Sequence, residues 1–358
     1  MIPACSGFFT PRNDSGGGGT TARYAYVANF NGGGSGTISG FNLNTTTGAL
    51  TLNGQAASTG ISGNGPAAVI VVLGKFLYSA NDAGSVSAFS IADSTGVLTA
   101  ISGSPFPAGI SPSALASDPA GKFLYVANTG SDSINAYSID ATTGGLTALG
   151  TVNLNGGPAG LAVHPTGKFL YAAIDSQGID AFTIATNGSL TLIRNVPPLL
   201  NGRPQAIAIE STGKYLYAAD GVSGVEFFTI NATTGDLTSA RTTPFPAGTG
   251  PVAITTDAAS KFVYVANQDS NNVSGYAILS DGSLTALSGS PYAVGTSGAN
   301  PSPIAIKMDP SSKFVYTTNF NGNPSIAIFT LDTVTAGRLL TPPATATSGA
   351  NPAGIAFK

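Results

Sequence analysis

One seven-residue phrase recurs along this chain and constrains its fold more than any other feature. The phrase is clearest at 122–128, where it reads Lys-Phe-Leu-Tyr-Val-Ala-Asn. Its central tyrosine occurs seven times, as Tyr26, Tyr78, Tyr125, Tyr171, Tyr217, Tyr264 and Tyr316. The steps between these tyrosines are 52, 47, 46, 46, 47 and 52 residues. A period of this length, with several short apolar runs in each unit, is typical of a repeat architecture.

Each unit is predicted to hold four short strands. In the third unit we expect strands at 113–118, 122–128, 133–140 and 145–150, separated by turn residues. The second of these alternates its side chains with the period of two that a strand requires. Both of its faces are apolar, so it must be covered on both sides, as in a blade stacked between two neighbouring blades.

The two ends of the repeat array complement each other. The first unit begins at its second strand, near Tyr24, whereas the chain ends on a surplus first strand at 352–357. We expect the C-terminal strand to complete the first blade, which would close the ring and leave few exposed edges. The sequence therefore predicts an all-β fold, a seven-bladed β-propeller of four-stranded blades over 24–358. Residues 1–23, rich in Gly, Ser and Thr, are predicted to form a flexible tether.

The composition argues against several classes of partner. Charged residues make up 9% of the chain, against about 25% in typical globular proteins. The net charge of −3 gives no electrostatic basis for binding nucleic acid or an anionic membrane. With one His and one Cys, a zinc site is not expected, and neither is any other cofactor. No apolar run reaches the roughly 18 residues of a membrane span.

The N-terminal cysteine has two interpretations. The run Ile2-Pro3-Ala4-Cys5 resembles the end of a bacterial lipoprotein signal, in which the cysteine receives lipid. This interpretation predicts a secreted, periplasmic or cell-surface bacterial protein, lipidated at Cys5. The alternative is an ordinary cysteine in a frayed terminus.

The repeated phrase Gly-Lys-Phe-Leu-Tyr-Val-Ala-Asn, followed by a strand that ends near Thr-Gly, resembles the repeats of YVTN-type and lactonase-type seven-bladed propellers. The lactonase branch includes bacterial 6-phosphogluconolactonase, and the resemblance spans residues 24–358. It implies an Arg-His pair just before an inner strand and an Asn-Glu pair just after a second strand, at the mouth of the central channel. There a base would activate water and a cation or hydrogen-bond donors would hold the oxyanion.

Only part of this pattern is matched here. The places that correspond to Arg-His carry no charge: Ala67-Ala68, Ser113-Ala114, Ala159-Gly160, Gln205-Ala206, Val252-Ala253, Ser302-Pro303 and Ala353-Gly354. The places that correspond to Asn-Glu keep three carboxylates, Asp82, Asp175 and Asp220, and no Arg or His is expected beside them. This pattern favours a protein without catalytic activity. The alternative is a lactone hydrolase that uses Asp82, Asp175 or Asp220.

Long loops provide a second candidate site. An Asn-Phe-Asn-Gly sequence lies between the second and third strands in units one and seven, which become neighbours when the ring closes. The longest connections from a fourth strand to the next first strand project from the same face. An aromatic ring beside neutral amides suits a glycan or a polypeptide, and loops on a rigid scaffold commonly carry binding sites. The candidate binding residues are Phe30, Asn31, Asn300, Phe320, Asn321, Asn323 and Asn351. The alternative is that the two phenyl rings fold over the blade junction and the loops bind nothing.

These observations favour a surface scaffold that binds a glycan or protein partner through blades seven and one. Low charge and abundant Ser and Thr also allow a third function, a self-assembling extracellular protein. His164, in the turn after a first strand, is expected to be structural. The lysines at the turns after the first strands are expected to be neutralised by acids four residues earlier, such as Asp118 before Lys122.

Overall fold

The computed structural model describes residues 24–30, 36–54, 56–60, 65–197, 202–222, 224–295, 300–332, 334–341 and 343–358. Within these ranges the chain forms strands β1 to β31 and one short 3-10 helix. The candidate residues Cys5 and Asn31 lie outside them. Among the described residues, no helix has the length and hydropathy needed to cross a membrane.

The strands form seven antiparallel sheets, which are the seven predicted blades. Blade one contains β1 (Tyr24–Asn29), β2 (Thr37–Leu43), β3 (Leu50–Leu52) and β4 (Ala57–Ser58). Blade two contains β5 (Pro66–Val72), β6 (Phe76–Asn81), β7 (Ser85–Ile91), β8 (Leu98–Ala100) and β9 (Phe106–Pro107). Blade three contains β10 (Pro112–Ser117), β11 (Phe123–Asn128), the 3-10 helix (Thr129–Ser131), β12 (Ser133–Ile139) and β13 (Leu146–Asn153). Blade four contains β14 (Pro158–Val163), β15 (Phe169–Ile174), β16 (Gly178–Ile184) and β17 (Leu190–Val196).

The remaining three blades repeat the same order. Blade five contains β18 (Pro204–Ile209), β19 (Tyr215–Asp220), β20 (Gly224–Ile230) and β21 (Leu237–Ser239). Blade six contains β22 (Pro251–Thr256), β23 (Phe262–Asn267), β24 (Asn272–Ile278), β25 (Leu284–Ala286) and β26 (Tyr292–Ala293). Blade seven contains β27 (Pro303–Met308), β28 (Phe314–Asn319), β29 (Ile326–Thr330) and β30 (Ala344–Ala346). The last strand, β31 (Pro352–Phe357), pairs with β1 and completes blade one, as the sequence predicts.

The first strand of each blade is innermost, and these strands pack side by side around a closed ring: β31, β5, β10, β14, β18, β22 and β27. Each begins at a proline that pairs with the last residue of the second strand, for example Pro66 with Asn81. The starts of all first strands and the ends of all second strands therefore share one face, which we call the mouth face. The turns between first and second strands lie on the opposite face, the far face.

The blades are joined by a repeated hydrogen bond from tyrosine to glycine. The hydroxyl of each second-strand tyrosine donates to the carbonyl of a turn glycine in the next blade, as Tyr78 does to Gly144 at 2.7 Å. The seven donors are Tyr26, Tyr78, Tyr125, Tyr171, Tyr217, Tyr264 and Tyr316. Because burial makes an unpaired hydroxyl costly, this bond explains why the repeat keeps tyrosine rather than phenylalanine at its centre.

Acidic side chains cap the far-face turns. The Oδ1 atom of Asp118 accepts hydrogen bonds from the backbone N–H groups of Lys122 and Phe123, at 2.6 and 2.7 Å. Glu210, Asp257 and Asp309 do the same in their blades. The acids thus bind the backbone amides of the turns that carry the lysines, which gives these acids a structural role.

His164 takes the capping position in blade four. Its Nδ1 atom lies 2.8 Å from Thr166 Oγ1, and its Nε2 atom lies 2.9 Å from the carbonyl oxygen of Gly213 in blade five. The ring is buried, and burial lowers the pKa of His164. Its role is structural, as expected from the sequence.

The two ends of the ring meet on the far face. The N–H of Lys358 donates to the carbonyl of Tyr24 at 2.9 Å, beside the start of β1 and the end of β31. The chain therefore enters the propeller at Tyr24 on the face opposite the mouth.

Candidate functional site

Seven residues form a ring around the mouth of the central channel. Each directly follows a second strand, and its backbone N–H donates to the carbonyl of the residue before a first-strand proline, over 2.8 to 3.2 Å. We call these residues the mouth ring: Phe30, Asp82, Thr129, Asp175, Gly221, Gln268 and Phe320. The acceptors are Asn351, Gly65, Ser111, Gly157, Arg203, Gly250 and Ser302. This repeated bond fixes where each mouth-ring side chain begins.

An ion pair joins blades four and five within the mouth ring. Arg203 donates from Nε to Asp175 Oδ1 at 2.7 Å and from a terminal nitrogen to Oδ2 at 2.5 Å. The pair is two-pronged, the geometry in which a guanidinium matches a carboxylate best. The side chains are 38% and 35% exposed, so both are reached by solvent. The hydrogen bonds from Arg203 lower the pKa of Asp175, and those to Asp175 raise the pKa of Arg203.

The expectation that no Arg or His lies beside the three carboxylates is therefore wrong. Arg203 directly precedes Pro204, the first residue of β18, whereas the family resemblance places the Arg-His pair directly after this proline, at Gln205-Ala206. The strand pairing also corrects the position expected for the Arg-His pair in blade seven, because Pro303 takes the place of the other first-strand prolines. The corresponding place there is Ile304-Ala305, not Ser302-Pro303. A comparison of all seven residues that precede these prolines would have singled out Arg203, since it alone is charged.

Asp220 stands apart from the channel. Its side chain is 0% exposed, and Oδ1 accepts the N–H of Val222 at 2.9 Å. Its charge also contributes to the raised pKa of Arg203. The carbonyl of Arg203 accepts the N–H of Gly221, so the residue that follows Asp220 fixes the backbone of Arg203. Asp220 can stabilise Arg203 electrostatically, but it cannot contact a molecule in the mouth.

Asp82 is the third carboxylate, and it belongs to blade two. It is half-buried and follows Asn81, which ends β6, so Asn81-Asp82 is the one place where an Asn precedes an acid in the mouth ring. Blades three and four lie between it and Arg203, which puts the two residues on different sides of the mouth. A ligand held between them would meet a carboxylate on one side and a guanidinium on the other.

The opposite sector of the mouth ring is apolar. The rings of Phe30 and Phe320 lie 6.4 Å apart between centroids, inclined at 51°. Both pack against a cluster that includes Ala67, Ile304 and Ala353. Phe30 is 9% exposed and Phe320 is half-buried, so the rings cover the junction of blades seven and one. The mouth thus has a charged sector at blades four and five and an aromatic sector at blades seven and one.

The candidate amides are spread around the aromatic sector. Asn321 and Asn323 are exposed in the loop between β28 and β29. Asn300 is exposed, and its Oδ1 accepts a hydrogen bond from Asn271 of blade six at 2.6 Å. Asn351 is half-buried, and its carbonyl accepts the N–H of Phe30. In the described part of the chain, no three His, Cys, Asp or Glu side chains cluster to hold a metal ion.

Comparisons with known proteins agree with this architecture. The chain superimposes on a provisionally named 6-phosphogluconolactonase from Bacteroides uniformis with a TM-score of 0.80 at 18% identity, covering 95% of this chain and 100% of that one. A second such protein, from Bacteroides fragilis, gives 0.78 at 22% identity, with 96% and 100% covered. The periplasmic gluconolactonase of Pseudomonas aeruginosa gives 0.78 at 19% identity, with 93% and 98% covered. At these identities the likeness shows the fold alone.

Sequence comparison identifies the family directly. No curated protein matches the chain by sequence. The family described as lactonase, 7-bladed beta-propeller, matches residues 101–202 and 221–358, which is more than half of the chain. This chain therefore belongs to the lactonase family of seven-bladed β-propellers.

Proposed function

We propose that the protein hydrolyses lactones at the channel mouth. The observation that carries this proposal is the two-pronged Arg203–Asp175 pair in the mouth ring of a lactonase-family propeller. The preference for a non-catalytic scaffold rested on the absence of such a cation, and Arg203 removes that basis.

Lactone hydrolysis needs a group that stabilises the negative charge that forms on the carbonyl oxygen. A guanidinium held in place before the reaction suits this task, because no reorganisation is required when the charge develops. Asp175 holds the guanidinium group of Arg203 in place through two hydrogen bonds and is therefore a positioning residue. Since its pKa is lowered, Asp175 stays ionised at neutral pH and is a weak proton acceptor.

Asp82 is the better candidate for the general base. Its carboxylate accepts a proton from water as the water oxygen attacks the carbonyl carbon. The tetrahedral intermediate then collapses, the ring C–O bond breaks, and the departing alkoxide takes up the proton that Asp82 accepted, which returns Asp82 to its carboxylate form. The product is the open-chain hydroxy acid. Asp82 and Arg203 belong to different sides of the mouth, so this mechanism requires the lactone to bind across the mouth between them.

The aromatic sector suits a sugar lactone. A sugar ring offers an apolar C–H face and a rim of hydroxyl groups, which match Phe30 and Phe320 on one side and neutral amides on the other. Structural neighbours are named as gluconolactonase and 6-phosphogluconolactonase. We therefore propose sugar δ-lactones as the substrate class.

The test is hydrolysis of δ-gluconolactone and 6-phosphogluconolactone by the purified chain and four variants. We expect Asp82→Asn and Arg203→Met each to lower kcat/KM by about 10²- to 10³-fold. Asp175→Asn is expected to act more weakly, because it only loosens Arg203. Asp269→Asn is the matched control, since Asp269 is an exposed carboxylate two residues beyond β23 on the same face and outside the mouth ring. Turnover that survives both Asp82→Asn and Arg203→Met, or no turnover above the uncatalysed rate, would exclude this site.

A second candidate function is glycan binding without catalysis. It is supported by the paired rings of Phe30 and Phe320 beside the exposed Asn321 and Asn323. In this case an oligosaccharide or a protein partner would bind across blades seven and one, and Arg203 would be dispensable. Binding of a glycan array that is lost in a Phe30→Ala, Phe320→Ala variant but kept in Arg203→Met would favour it over hydrolysis.

We also propose that the protein works outside the cytoplasm, as a secreted or surface-attached bacterial protein. The P. aeruginosa neighbour is named as periplasmic, and the run that ends at Cys5 resembles a lipoprotein signal. Intact-mass analysis of protein from its native source tests the attachment. A diacylglycerol-modified Cys5 supports it, and an unmodified Cys5 contradicts it.

A further inference from the structure

Positively charged side chains are unevenly divided between the two faces of the propeller. The sequence contains 14 Lys and Arg residues. Six lysines are exposed in the far-face turns between first and second strands: Lys75, Lys122, Lys168, Lys214, Lys261 and Lys313. Lys358 lies at the far face beside Tyr24, and three arginines belong to the outer parts of blades four, five and seven: Arg194, Arg241 and Arg338. Arg203, by contrast, lies at the mouth beside Asp175.

Arg203 is the one cation that the described structure places at the mouth. Lys307, the fifth residue of β27, is the remaining cation of the described residues. It lies about 13 Å along the strand from Pro303, and its amine is buried. Arg12 and Arg23 precede Tyr24 in the sequence. The loop residues after Tyr24 that lie outside the described ranges contain no Lys, Arg, Asp or Glu.

Negative charge accumulates at the mouth face. Four carboxylates that are at least partly exposed lie there: Asp82, Asp132, Asp175 and Asp269. Four carboxylates and one guanidinium leave this face with a net charge of −3. Three further acids in the mouth halves of blades four and five are buried: Asp180, Asp220 and Glu226. The mouth is therefore an anionic surface.

Asp132 and Asp269 lie close to the backbone that borders the mouth. A Cβ atom on Gly157 would be 3.5 Å from Asp132 Oδ1, and one on Gly250 would be 2.5 Å from Asp269 Oδ2. The carbonyls of these two glycines accept the N–H groups of the mouth-ring residues in blades four and six. The negative field of the two carboxylates therefore acts on a molecule bound in the mouth.

The mouth offers little to a phosphate group. Proteins hold phosphates with Arg or Lys, with helix N-termini or with backbone N–H groups. The N–H groups of the mouth ring already donate to carbonyls, and the one helix among the described residues is three residues long. Arg203 binds Asp175 with Nε and one terminal nitrogen, and the proposed hydrolysis uses its remaining N–H groups for the oxyanion. No second guanidinium or ammonium of the described residues is left at the mouth to bind a phosphate.

We propose that the channel mouth selects uncharged sugar δ-lactones and disfavours their phosphorylated forms. This selectivity rests on the proposed hydrolysis and defines which sugar lactones that site takes. A phosphate monoester carries a charge of about −1.5 to −2 at pH 7, so the mouth repels it during approach and binding. An unphosphorylated lactone carries no charge, and its hydroxyl groups can bond to the neutral amides of the mouth.

The first experiment compares kcat/KM for δ-gluconolactone and 6-phosphogluconolactone at two ionic strengths. The Debye length is about 30 Å at 0.01 M, which spans the mouth, and about 8 Å at 0.15 M. We expect δ-gluconolactone to be preferred by on the order of tenfold at 0.01 M. The preference should shrink by a factor of roughly five at 0.15 M, because kcat/KM rises for the phosphorylated lactone alone. Equal or reversed preference, or a value for 6-phosphogluconolactone that falls with salt, would overturn the proposal.

One charge at the mouth can be removed with a matched control on the other face. Asp132 has a left-handed φ of +46°, which asparagine also adopts readily, so Asp132→Asn preserves the turn. We expect it to raise kcat/KM for 6-phosphogluconolactone about twofold at 0.01 M ionic strength, with no change for δ-gluconolactone. Asp281→Asn, in an exposed turn of blade six at the far face, makes the same change in net charge and should leave both values unaltered. The same gain in both variants would show that net charge, and not the mouth, sets the selectivity.

A binding measurement separates this selectivity from the hydrolysis on which it rests. The probes are δ-gluconolactam and its 6-phosphate, which carry an amide in place of the scissile ester, titrated into the full chain by calorimetry. We expect the neutral lactam to bind on the order of tenfold more tightly at 0.01 M ionic strength. Tighter binding of the neutral lactam without turnover of either lactone would refute hydrolysis and support the selectivity. Equal binding, tighter binding of the phosphate, or binding of neither probe would overturn the selectivity.

Discussion

The hydroxyl of Tyr316 donates a hydrogen bond to the carbonyl oxygen of Gly48 over 2.7 Å, and this contact joins the last blade to the first. Gly48 has a φ of +73°, and a Cβ atom there would lie 2.5 Å from Cδ1 of Phe314. Both the backbone conformation and the packed ring therefore require glycine. The same arrangement of tyrosine, aromatic ring and glycine recurs at the other blade junctions.

Substitution of Gly48 should show how much this junction contributes to stability. Gly60 has a similar φ of +76°, but a Cβ atom there would meet open space. Both alanine variants carry the cost of a left-handed backbone, about 1 to 2 kcal/mol. We expect Gly48→Ala to lower the free energy of unfolding by a further 1 to 3 kcal/mol or so, because it also overlaps Phe314. Urea denaturation of the two variants measures the difference, and equal losses would show that ring packing contributes nothing.

The ion pair at the mouth should be visible in the titration of Asp175. Its pKa is lowered by Arg203, so its stabilising contribution is present above the unfolded pKa and is lost as pH falls through the lower folded value. We expect the carboxyl carbon of Asp175 to titrate below the ordinary range by NMR, and to return toward about 3.9 in Arg203→Gln. Asp281, whose pKa is lowered by hydrogen bonds from Ser283, is the control and should not move.

The single histidine should make stability depend on pH between about 5 and 7. Burial lowers the folded pKa of His164 below the unfolded value of about 6.5. The unfolded chain therefore binds a proton more readily in this window, and stability falls as pH falls. We expect the difference in unfolding free energy between wild type and His164→Gln to shrink from pH 8 to pH 5. A difference that is constant with pH would mean that the pKa of His164 is the same in the folded and unfolded states, which would contradict the effect of burial.

The aromatic sector should contribute to substrate binding rather than to the chemical step. If Phe30 and Phe320 hold the apolar face of a sugar lactone, their replacement by alanine removes contact worth about 1 to 2 kcal/mol. We expect the double variant to raise KM by roughly tenfold with little change in kcat. Phe106→Ala, at the outer part of blade two, is the control. Both variants must remain folded at the assay temperature, since Phe30 also packs in the core.

The self-assembly function makes a separate prediction. β13 and β17 are the outer strands of blades three and four, with eight and seven residues, and they expose Leu149 and Leu192 by 40% and 53%. An exposed edge strand can pair with another chain. We expect sedimentation to show association that rises with concentration and is weakened by Leu149→Lys with Leu192→Lys. A wild-type protein that stays monomeric at every concentration would refute it.

The sequence predicted the fold because the relevant signals are local. The alternation within each second strand and the spacing of the tyrosines determine seven blades, and the surplus strand at the end predicts closure. The Arg203–Asp175 pair was missed because its partners are 28 residues apart and belong to different blades. Their meeting depends on where Arg203 lies relative to the end of β15, which no periodic pattern encodes. The capping role of Asp118 has a related cause, since its hydrogen bonds to backbone amides of its own turn cannot be read from the spacing of charged residues.

The position of Tyr24 determines which face of the propeller would be joined to a support. Tyr24 lies beside Lys358 on the far face, while the mouth ring opens on the opposite face. Any membrane, bead or fusion partner attached through the residues before Tyr24 would hold the propeller by its base. The attachment itself would then leave the channel mouth uncovered, so sugars and other small solutes could still enter it from the surrounding medium.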